Sequence, residues 1–402
     1  MGNSKDGPLV SWILTMFAVV VAVPTAVLCV EIVAALLRPQ VSVPSCGDAR
    51  RRVAILVPAR NESSHITLTL EDIKVQLRPG DRLLVVANNC TDDTAEFARK
   101  SGAEVLEIYD SERIGKGFAL DWGLRHFETD PPEIVIMIDA DCRLAEGAVD
   151  QLTTTCLTTG RPVQALYLMT APEGSAINQQ IAEFAWRVKN WVRPLGLNAL
   201  ASPCQLMGTG MAFPWQVIRS ADLAHPWIVE DLKLGLDLTA TGHPPLFCPA
   251  ARVSSQFATS ARGADVQRRR WEQGHIVTIL KFGAPLLCLA VKRLNTSLLV
   301  LTLDLVVPPL SLLALLLLLT FVVTGAAALL GIGLSAFLIS ASGVVGFAVA
   351  VLLAWAKYGR DILSPRTVLS IPGYIVRKLG LYRQVLIGKM TSHWVGTDRA
   401  KS

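Results

Sequence analysis

Two long stretches of the chain carry hydrophobic residues with no charge among them, and the stretch between breaks into short apolar runs separated by polar ones. Residues 7–30 contain no charged side chain, and residues 305–356 form an uncharged run of 52 with Asp304 just ahead of it. About 20 apolar residues cross the hydrocarbon core of a bilayer. The first run therefore predicts one membrane span and the second predicts two, near 9–30, 298–322 and 329–355, with Gly325 and Gly331 offering the turn between the last pair. Pro308 and Pro309 fall inside the second span, where their missing amides loosen and bend a helix.

From residue 51 to about 285 the periodicity changes. Apolar, β-branched runs at 52–58, 82–87, 133–139 and 162–169, with a shorter one at 104–108, read as strands. Their near-continuous hydrophobicity suits strands covered on both faces. Segments 62–77, 92–102, 117–127 and 145–156 fit the helices between them, with Thr91 or Asp92 available as a cap. The pattern predicts an α/β domain with a mainly parallel sheet, whose ligand chemistry gathers outside the carboxyl ends of its strands. No G-x-G-x-x-G follows the first strand and no G-x-x-x-x-G-K-[ST] occurs, which disfavours a dinucleotide or P-loop site.

Composition agrees with a membrane protein: 51% of residues are hydrophobic and only 18% charged. Arg38, Arg50, Arg51 and Arg52 follow the first span, Lys292 and Arg293 precede the second, and Lys357 and Arg360 follow the third, whereas Lys5 alone precedes the first. This bias predicts a multi-pass protein of the plasma (inner) membrane with its soluble domain and C-terminal tail in the cytosol and its N-terminus outside. The first span lacks a basic start and a small-residue cleavage site, so it reads as an uncleaved anchor. The resulting organisation is an anchor at 9–37, a soluble domain at 51–285, two transmembrane helices at 298–355 and a basic, partly interfacial tail at 357–402. The net charge of +5 comes largely from juxtamembrane segments, which suit acidic lipid headgroups better than nucleic acid. Eight cysteines without a C-x-x-C pair predict incidental thiols in a reducing compartment and no structural zinc.

Candidate chemistry sits at the predicted strand ends. "PARNE" (58–62) closes the first strand, "NNCTDD" (88–93) the second and "DAD" (139–141) the fourth. Asp139 and Asp141 lie two apart beyond a dry strand, and such a carboxylate pair repels itself unless a cation joins it, which suits Mg²⁺ or Mn²⁺ beside phosphate. Lys116 in "GKG" opens a helix and could approach a phosphate. Glu230 and Asp231 read either as acids at a helix start or as a general base with a carboxylate that tunes it. In "QRRRW" a helix over 261–279 would put Gln267, Arg270 and Trp271 on one side, to bind phosphate oxygens and stack on a ring; alternatively the segment is an interfacial helix with Trp271 at headgroup level. Asp304 reads as a side chain that snorkels to water or faces a polar passage for product.

Taken in order, "PARNE", "NNCTDDT", "RIGKGFALDWGL", "DAD", "MGTGMAF", "ED" and Q-x-x-R-W resemble the membrane glycosyltransferases of family 2, the group of bacterial cellulose, chitin and hyaluronan synthases and exopolysaccharide glycosyltransferases. The resemblance covers about 51–278 and implies a GT-A fold: an α/β nucleotide-sugar-binding domain, here flanked by transmembrane and interfacial helices. It assigns Pro58, Glu62, Asn88, Lys116, Asp139, Gln267, Arg270 and Trp271 to the nucleotide-sugar, Asp141 with Asp139 to Mg²⁺ or Mn²⁺, and Asp231 with Glu230 to catalysis. Asn88 stands where family members usually carry an acid. The implied reaction is inverting, metal-dependent transfer of a sugar, from a UDP-sugar in many members, to a growing glycan of the cell envelope or an exopolysaccharide. The implied partners are the donor, a glycan or lipid-linked acceptor, membrane lipids and envelope assembly or export subunits. Three spans are few for a self-contained channel, which leaves single addition to a lipid-linked acceptor, or a noncatalytic assembly subunit with this fold, as alternatives.

Overall fold

The computed structural model describes residues 7–38, 51–224, 230–258, 260–371, 373 and 375. Most of the basic tail lies outside them. An apolar helix α1 (Gly7–Leu37) precedes an α/β domain made of β1 (Val53–Ala59), α2 (Ile66–Lys74), β2 (Arg82–Asn88), α3 (Thr94–Lys100), β3 (Glu104–Ile108), α4 (Lys116–Phe127), β4 (Ile134–Met137), β5 (Arg143–Leu144), α5 (Ala148–Thr159) and β6 (Val163–Thr170). Helix α6 (Ile177–Arg187) continues through one π-helical turn (Val188–Val192) into α7 (Arg193–Ala199); β7 (Met211–Pro214), α8 (Trp215–Ile218), α9 (Glu230–Ala240) and β8 (Leu246–Gln256) complete the domain. Five helices follow among the described residues: α10 (Ala261–Lys292), α11 (Thr296–Leu305), α12 (Leu310–Leu329), α13 (Leu334–Tyr358) and the short α14 (Pro365–Val368).

The described strands form one mixed sheet in the order β3-β2-β1-β4-β7-β6-β8-β5. Strands β1 to β4 pair in parallel through Ala54↔Arg82, Leu84↔Glu104 and Val53↔Ile134, so their carboxyl ends share one edge. β7 runs antiparallel to β4 with Met137↔Met211, which brings the loop before β7 to that same edge. Alternation along β1 sends Val53, Ile55 and Val57 to a core with Ile66, Leu70 and Val149 of α2 and α5, and Ala54 and Leu56 to a second core with Leu120, Leu124 and Phe127 of α4. Both faces are covered, which is why these strands read as continuous apolar runs.

The parallel strands match the sequence reading, and β3 does so residue for residue. Three strands escaped it. β7 has four residues, β5 has two, and β8 carries Pro249 and an interrupted burial pattern, so none shows a clean period. The sheet is correspondingly mixed, β7 lying antiparallel between β4 and β6.

Among the described residues, four helices are long and apolar enough to cross a membrane: Pro8–Leu37, Val266–Lys292, Leu310–Leu329 and Leu334–Tyr358. The chain is a multi-pass membrane protein on this pattern, with exposed apolar side chains such as Trp12, Val322 and Leu352 on the outer faces of its helices. The second predicted span needs correction. Residues 298–322 are two helices, because Pro308 and Pro309 fall between α11 and α12 and end the first rather than bend it. The turn between α12 and α13 uses Gly331 and Gly333, both at positive φ, whereas Gly325 lies inside α12. α1 and α7 meet backbone to backbone: a Cβ on Gly196 would stand 1.9 Å from the Glu31 carbonyl oxygen, so only glycine permits this crossing. Helix α10 is tied to the α/β domain at both ends, by Gln267 accepting from the Ala258 amide and by Arg293 donating to the Ala240 carbonyl.

Candidate functional site

The edge where the parallel strands end opens into a cavity of about 1100 Å³. Its walls come from the loop after β1, the ends of β2 and β4, the start of α4, the loop before β7, the start of α9, and one side each of the π-helical turn and α10. Pro58, Glu62, Asn88, Lys116, Asp139, Asp141, Glu230, Asp231, Gln267, Arg270 and Trp271 all line it. Residues that span more than 200 positions of sequence thus meet in one volume.

Lys116 organises the floor. Its ammonium donates to Asp139 Oδ1 at 2.5 Å and to the Gly208 carbonyl at 2.7 Å, and lies 3.9 Å from Glu230 Oε1. One cation therefore holds β4, the loop before β7 and α9 together. Burial disfavours a charged lysine, but the carboxylates of Asp139 and Glu230 outweigh that and hold Lys116 above the ordinary lysine range. Burial likewise pushes Asp139 and Asp231 up from the carboxylate range, and pushes Glu230 up to about 7, against the pull of Lys116 in each case. Asp231 Oδ1 accepts from the Leu232 amide at 2.9 Å. Gly208, at φ +90°, leaves room for it: a Cβ there would meet Asp231 Oδ2 at 3.3 Å and Lys116 Nζ at 3.4 Å. The "MGTG" loop is further fixed by Gln164, which accepts from the Met207 amide and donates to the Thr209 carbonyl, and by Thr209 Oγ1, which accepts from the Asp139 amide.

Asp139, Asp141 and Cys142 bring three ligand atoms within 4.8 Å of one another. The two carboxylates fit a hard divalent cation. The Cys142 thiol is buried and pushed well above its ordinary range, so it stays protonated and is a poor ligand for such an ion.

Other predicted residues take more specific places. Asn88 is buried, with its Nδ2 donating to the Arg113 carbonyl and its Oδ1 accepting from the Gly115 amide, so its amide shapes the loop that delivers Lys116. The N-cap of α3 is Asp93 rather than the expected Thr91 or Asp92; Asp92 Oδ1 accepts from the Thr94 amide just beyond it, and its Oδ2 accepts from the Ser63 amide beside the "PARNE" loop. Trp271 packs on Trp186 with ring centroids 4.8 Å apart, in a cluster with Tyr167 and Phe257. Asp304 is corrected in part: it does not snorkel to water but is buried against Arg193, 2.5 Å from its guanidinium, at the wall of the cavity, while Arg193 also binds Glu31 of α1 at 2.6 Å.

Sequence reasoning missed one wall of the cavity, formed by Trp186, Lys189, Asn190 and Arg193. The available signal was "AWRVKNWVRPLG" (185–196), where cations and tryptophans alternate without reason in a plain amphipathic helix. The π-helical turn at Val188–Val192 is the local irregularity, of a kind that frequents functional sites.

Residues 50–274, more than half of the chain, match the model of glycosyltransferase-like family 2. The 4,4'-diaponeurosporenoate glycosyltransferases of Staphylococcus haemolyticus and Staphylococcus aureus are similar over part of the domain: 31% identical over 102 residues, 24% of this chain and 26% of that protein, and 32% over 119 residues, 29% and 31% respectively. The chain thus spans about a third or less of the length of the curated relatives it matches. Among solved structures, a mannosyltransferase of Pyrobaculum calidifontis in complex with GDP-Man and Mn²⁺ aligns over 92% of this chain and all of that one, at 17% identity and a TM-score of 0.48. Glucosyl-3-phosphoglycerate synthase of Mycobacterium tuberculosis with Mn²⁺ and UDP-glucose aligns over 60% and 83%, at 23% identity and a TM-score of 0.39.

Proposed function

The chain belongs to glycosyltransferase-like family 2, and from that premise we propose that it transfers a sugar from a nucleotide-sugar to an acceptor hydroxyl with inversion at the anomeric carbon. One observation carries the reading: Asp139, Asp141, Lys116, Asp231 and Arg270 line a single cavity at the strand ends. Asp141 and Asp139 would hold Mg²⁺ or Mn²⁺, which when bound supplies positive charge to the diphosphate as it leaves. Glu62, Asn88 and the "PARNE" loop from Pro58 bound the nucleotide end of the cavity. Arg270 and Gln267 close over the diphosphate from α10, and Arg270 adds charge-assisted hydrogen bonds. Asp231 takes the proton of the accepting hydroxyl, whose oxygen bonds to the anomeric carbon as the bond to the diphosphate breaks. Lys116 holds Asp139 and Glu230 beside Asp231 around that reaction.

The proposed setting is synthesis of a cell-envelope or extracellular glycan. The α/β domain faces the cytosol, where nucleotide-sugars are made, and envelope assembly or export subunits act alongside. α1, α12 and α13 serve as the spans. Helix α10, anchored to the domain at both ends, lies along the membrane surface instead. A second reading, single addition to a lipid-linked acceptor, is favoured by an apolar cavity that adjoins the catalytic one.

The test uses detergent-purified full-length chain with a panel of radiolabelled nucleotide-sugars, Mn²⁺ or Mg²⁺ and membrane lipids. Sugar transfer with an inverted linkage by NMR is expected, and Asp231→Asn should lower kcat by about 100-fold or more with donor binding kept. A retained linkage, or turnover unaltered in Asp231→Asn, rejects the mechanism. Absence of turnover with every donor, together with an intact cellular effect of Asp231→Asn, identifies a noncatalytic assembly subunit.

A further inference from the structure

Beside the catalytic cavity lies a second one of about 160 Å³, between α6, α10, the start of α12 and α13. Much of its wall is hydrocarbon, with Ile181, Ala182 and Phe184 from α6, Phe347 and Val351 from α13, and Ile371, while Arg268 and Glu272 of α10 add charge on one side. α12 and α13 belong to the membrane-length helices, so this cavity opens where lipid tails are found.

The two cavities share a wall. Trp186, Lys189, Arg193, Trp271 and His275 line both. Arg193 is already neutralised by Glu31 and Asp304, and His275 Nε2 is spent on the Leu305 carbonyl. Lys189 differs. Among the described residues no carboxylate lies within 4.0 Å of its ammonium, which stands 5.9 Å from the centroid of the Trp186 ring; burial pushes it below the ordinary lysine range, against the pull of Asp231, Asp304 and Glu272. A buried cation with no close ion-pair partner, at the junction between a mainly apolar slot and a polar cavity, is costly to keep charged. It is matched by an anion that arrives attached to a hydrocarbon tail.

We propose that the acceptor is an acidic amphiphile drawn from the bilayer, its hydrocarbon tail in the slot between α6 and α13, its anionic head on Lys189, and its accepting hydroxyl presented to Asp231. This deepens the glycosyltransferase reading and rests on it. The occupant is a membrane lipid because the slot is continuous with the apolar faces of α12 and α13, and 160 Å³ holds a stretch of hydrocarbon but no folded partner. Chemically the step is unchanged: the head's hydroxyl loses its proton to Asp231, its oxygen bonds to the anomeric carbon, and the electron pair of the broken bond departs with the nucleoside diphosphate. Sugar is thereby fixed to a molecule that stays in the membrane.

Two diazirine-bearing probes test this on the full-length protein in detergent: hexadecyl phosphate, and hexadecanol as its neutral counterpart. Irradiation followed by peptide mapping should place the label on 181–186 and 347–351. Ala182→Trp and Val351→Trp, which fill the slot from opposite walls, should each reduce it about fivefold or more, and Lys189→Met should reduce capture of hexadecyl phosphate about tenfold while changing hexadecanol less than twofold. Radiolabel from the donor should enter the chloroform-methanol phase, and should do so less with either filling variant. Label spread over the outer faces of α12 and α13, equal capture of both probes, a crosslink from the slot to the chain's own residues 376–402, or product confined to the aqueous phase overturns the proposal. Calorimetric binding of UDP and GDP with Mn²⁺ to the same samples reports separately on the donor site. Its failure rejects the glycosyltransferase reading, whereas its success beside an unlabelled slot rejects only the lipid acceptor.

Discussion

At the scale of single residues, which side chains line the candidate site was largely legible, because strand ends are local features. Asp139 and Asp141 are two apart at a strand end, and the strand was plain from "IVIMI". What one side chain does for others was not legible. Lys116 reads as a loop lysine that approaches phosphate, yet it is the counter-ion for three carboxylates contributed by β4 and α9. Glu230 shows how burial then sets protonation. Folded Glu230 keeps its proton up to about 7, against an ordinary 4.5, so between those values the folded state binds the extra proton. Stability from this group is complete below the lower value and is lost as pH rises through the upper one. Glu230→Gln removes the dependence. In metal-free buffer the variant should match the wild type near pH 5 and exceed it near pH 8, by at most about 3 kcal/mol. Thermal unfolding in detergent across that range measures the gap, and a gap that does not widen with pH contradicts the assignment.

At the scale of elements, legibility followed period. Strands buried on both faces and helices of three turns carry enough pattern to be read, and β1, β2, β3 and α4 start or end within a residue or two of their predicted limits. Short antiparallel strands do not, and β5 and β7 are held by pairing across the sheet rather than by any period of their own. Proline was read correctly in kind but not in degree. Two in succession end α11 at Leu305 and let α12 begin anew at Leu310, which frees α11 to pack Leu301 and Leu305 on Leu232 and Leu236 of α9. Close helix crossings are equally silent in a sequence, since the glycines that permit them look like any others. Gly196→Ala would drive a methyl into the Glu31 carbonyl of α1 and should cost about 1–3 kcal/mol. Gly346→Ala, whose Cβ would meet Cys29 Sγ at an ordinary 3.6 Å, should be nearly neutral. Heat-inactivation half-lives of the two variants in one detergent compare them directly, and equal half-lives would mean that α1 and α7 are not in contact.

At the scale of the whole molecule, α1 and the floor of the strand-end cavity are one electrostatic unit. Arg193 stands at the start of α7 with Glu31 of α1 on its Nε and Asp304 of α11 on its Nη2, all three buried, and both Arg193 and Asp304 also line the catalytic cavity. The partners lie 162 and 111 positions away along the chain, so nothing local in the sequence joins them. Each alone invites another reading, as Asp304 did. Removing the cation strands two carboxylates in an apolar surround, which is the expensive way to break such a set. Arg193→Met should therefore destabilise the protein by about 3–5 kcal/mol and lower transfer activity through the floor that Asp304 helps to form. Neutralising the acids as well, in Glu31→Gln with Asp304→Asn on the Arg193→Met background, should recover much of the stability, because no buried charge then remains unmatched. If the triple variant is no more stable than Arg193→Met, the three residues are ordinary packing side chains. If it regains stability without activity, the triad's charges also position the cavity, and α1 is part of the catalytic apparatus rather than a tether.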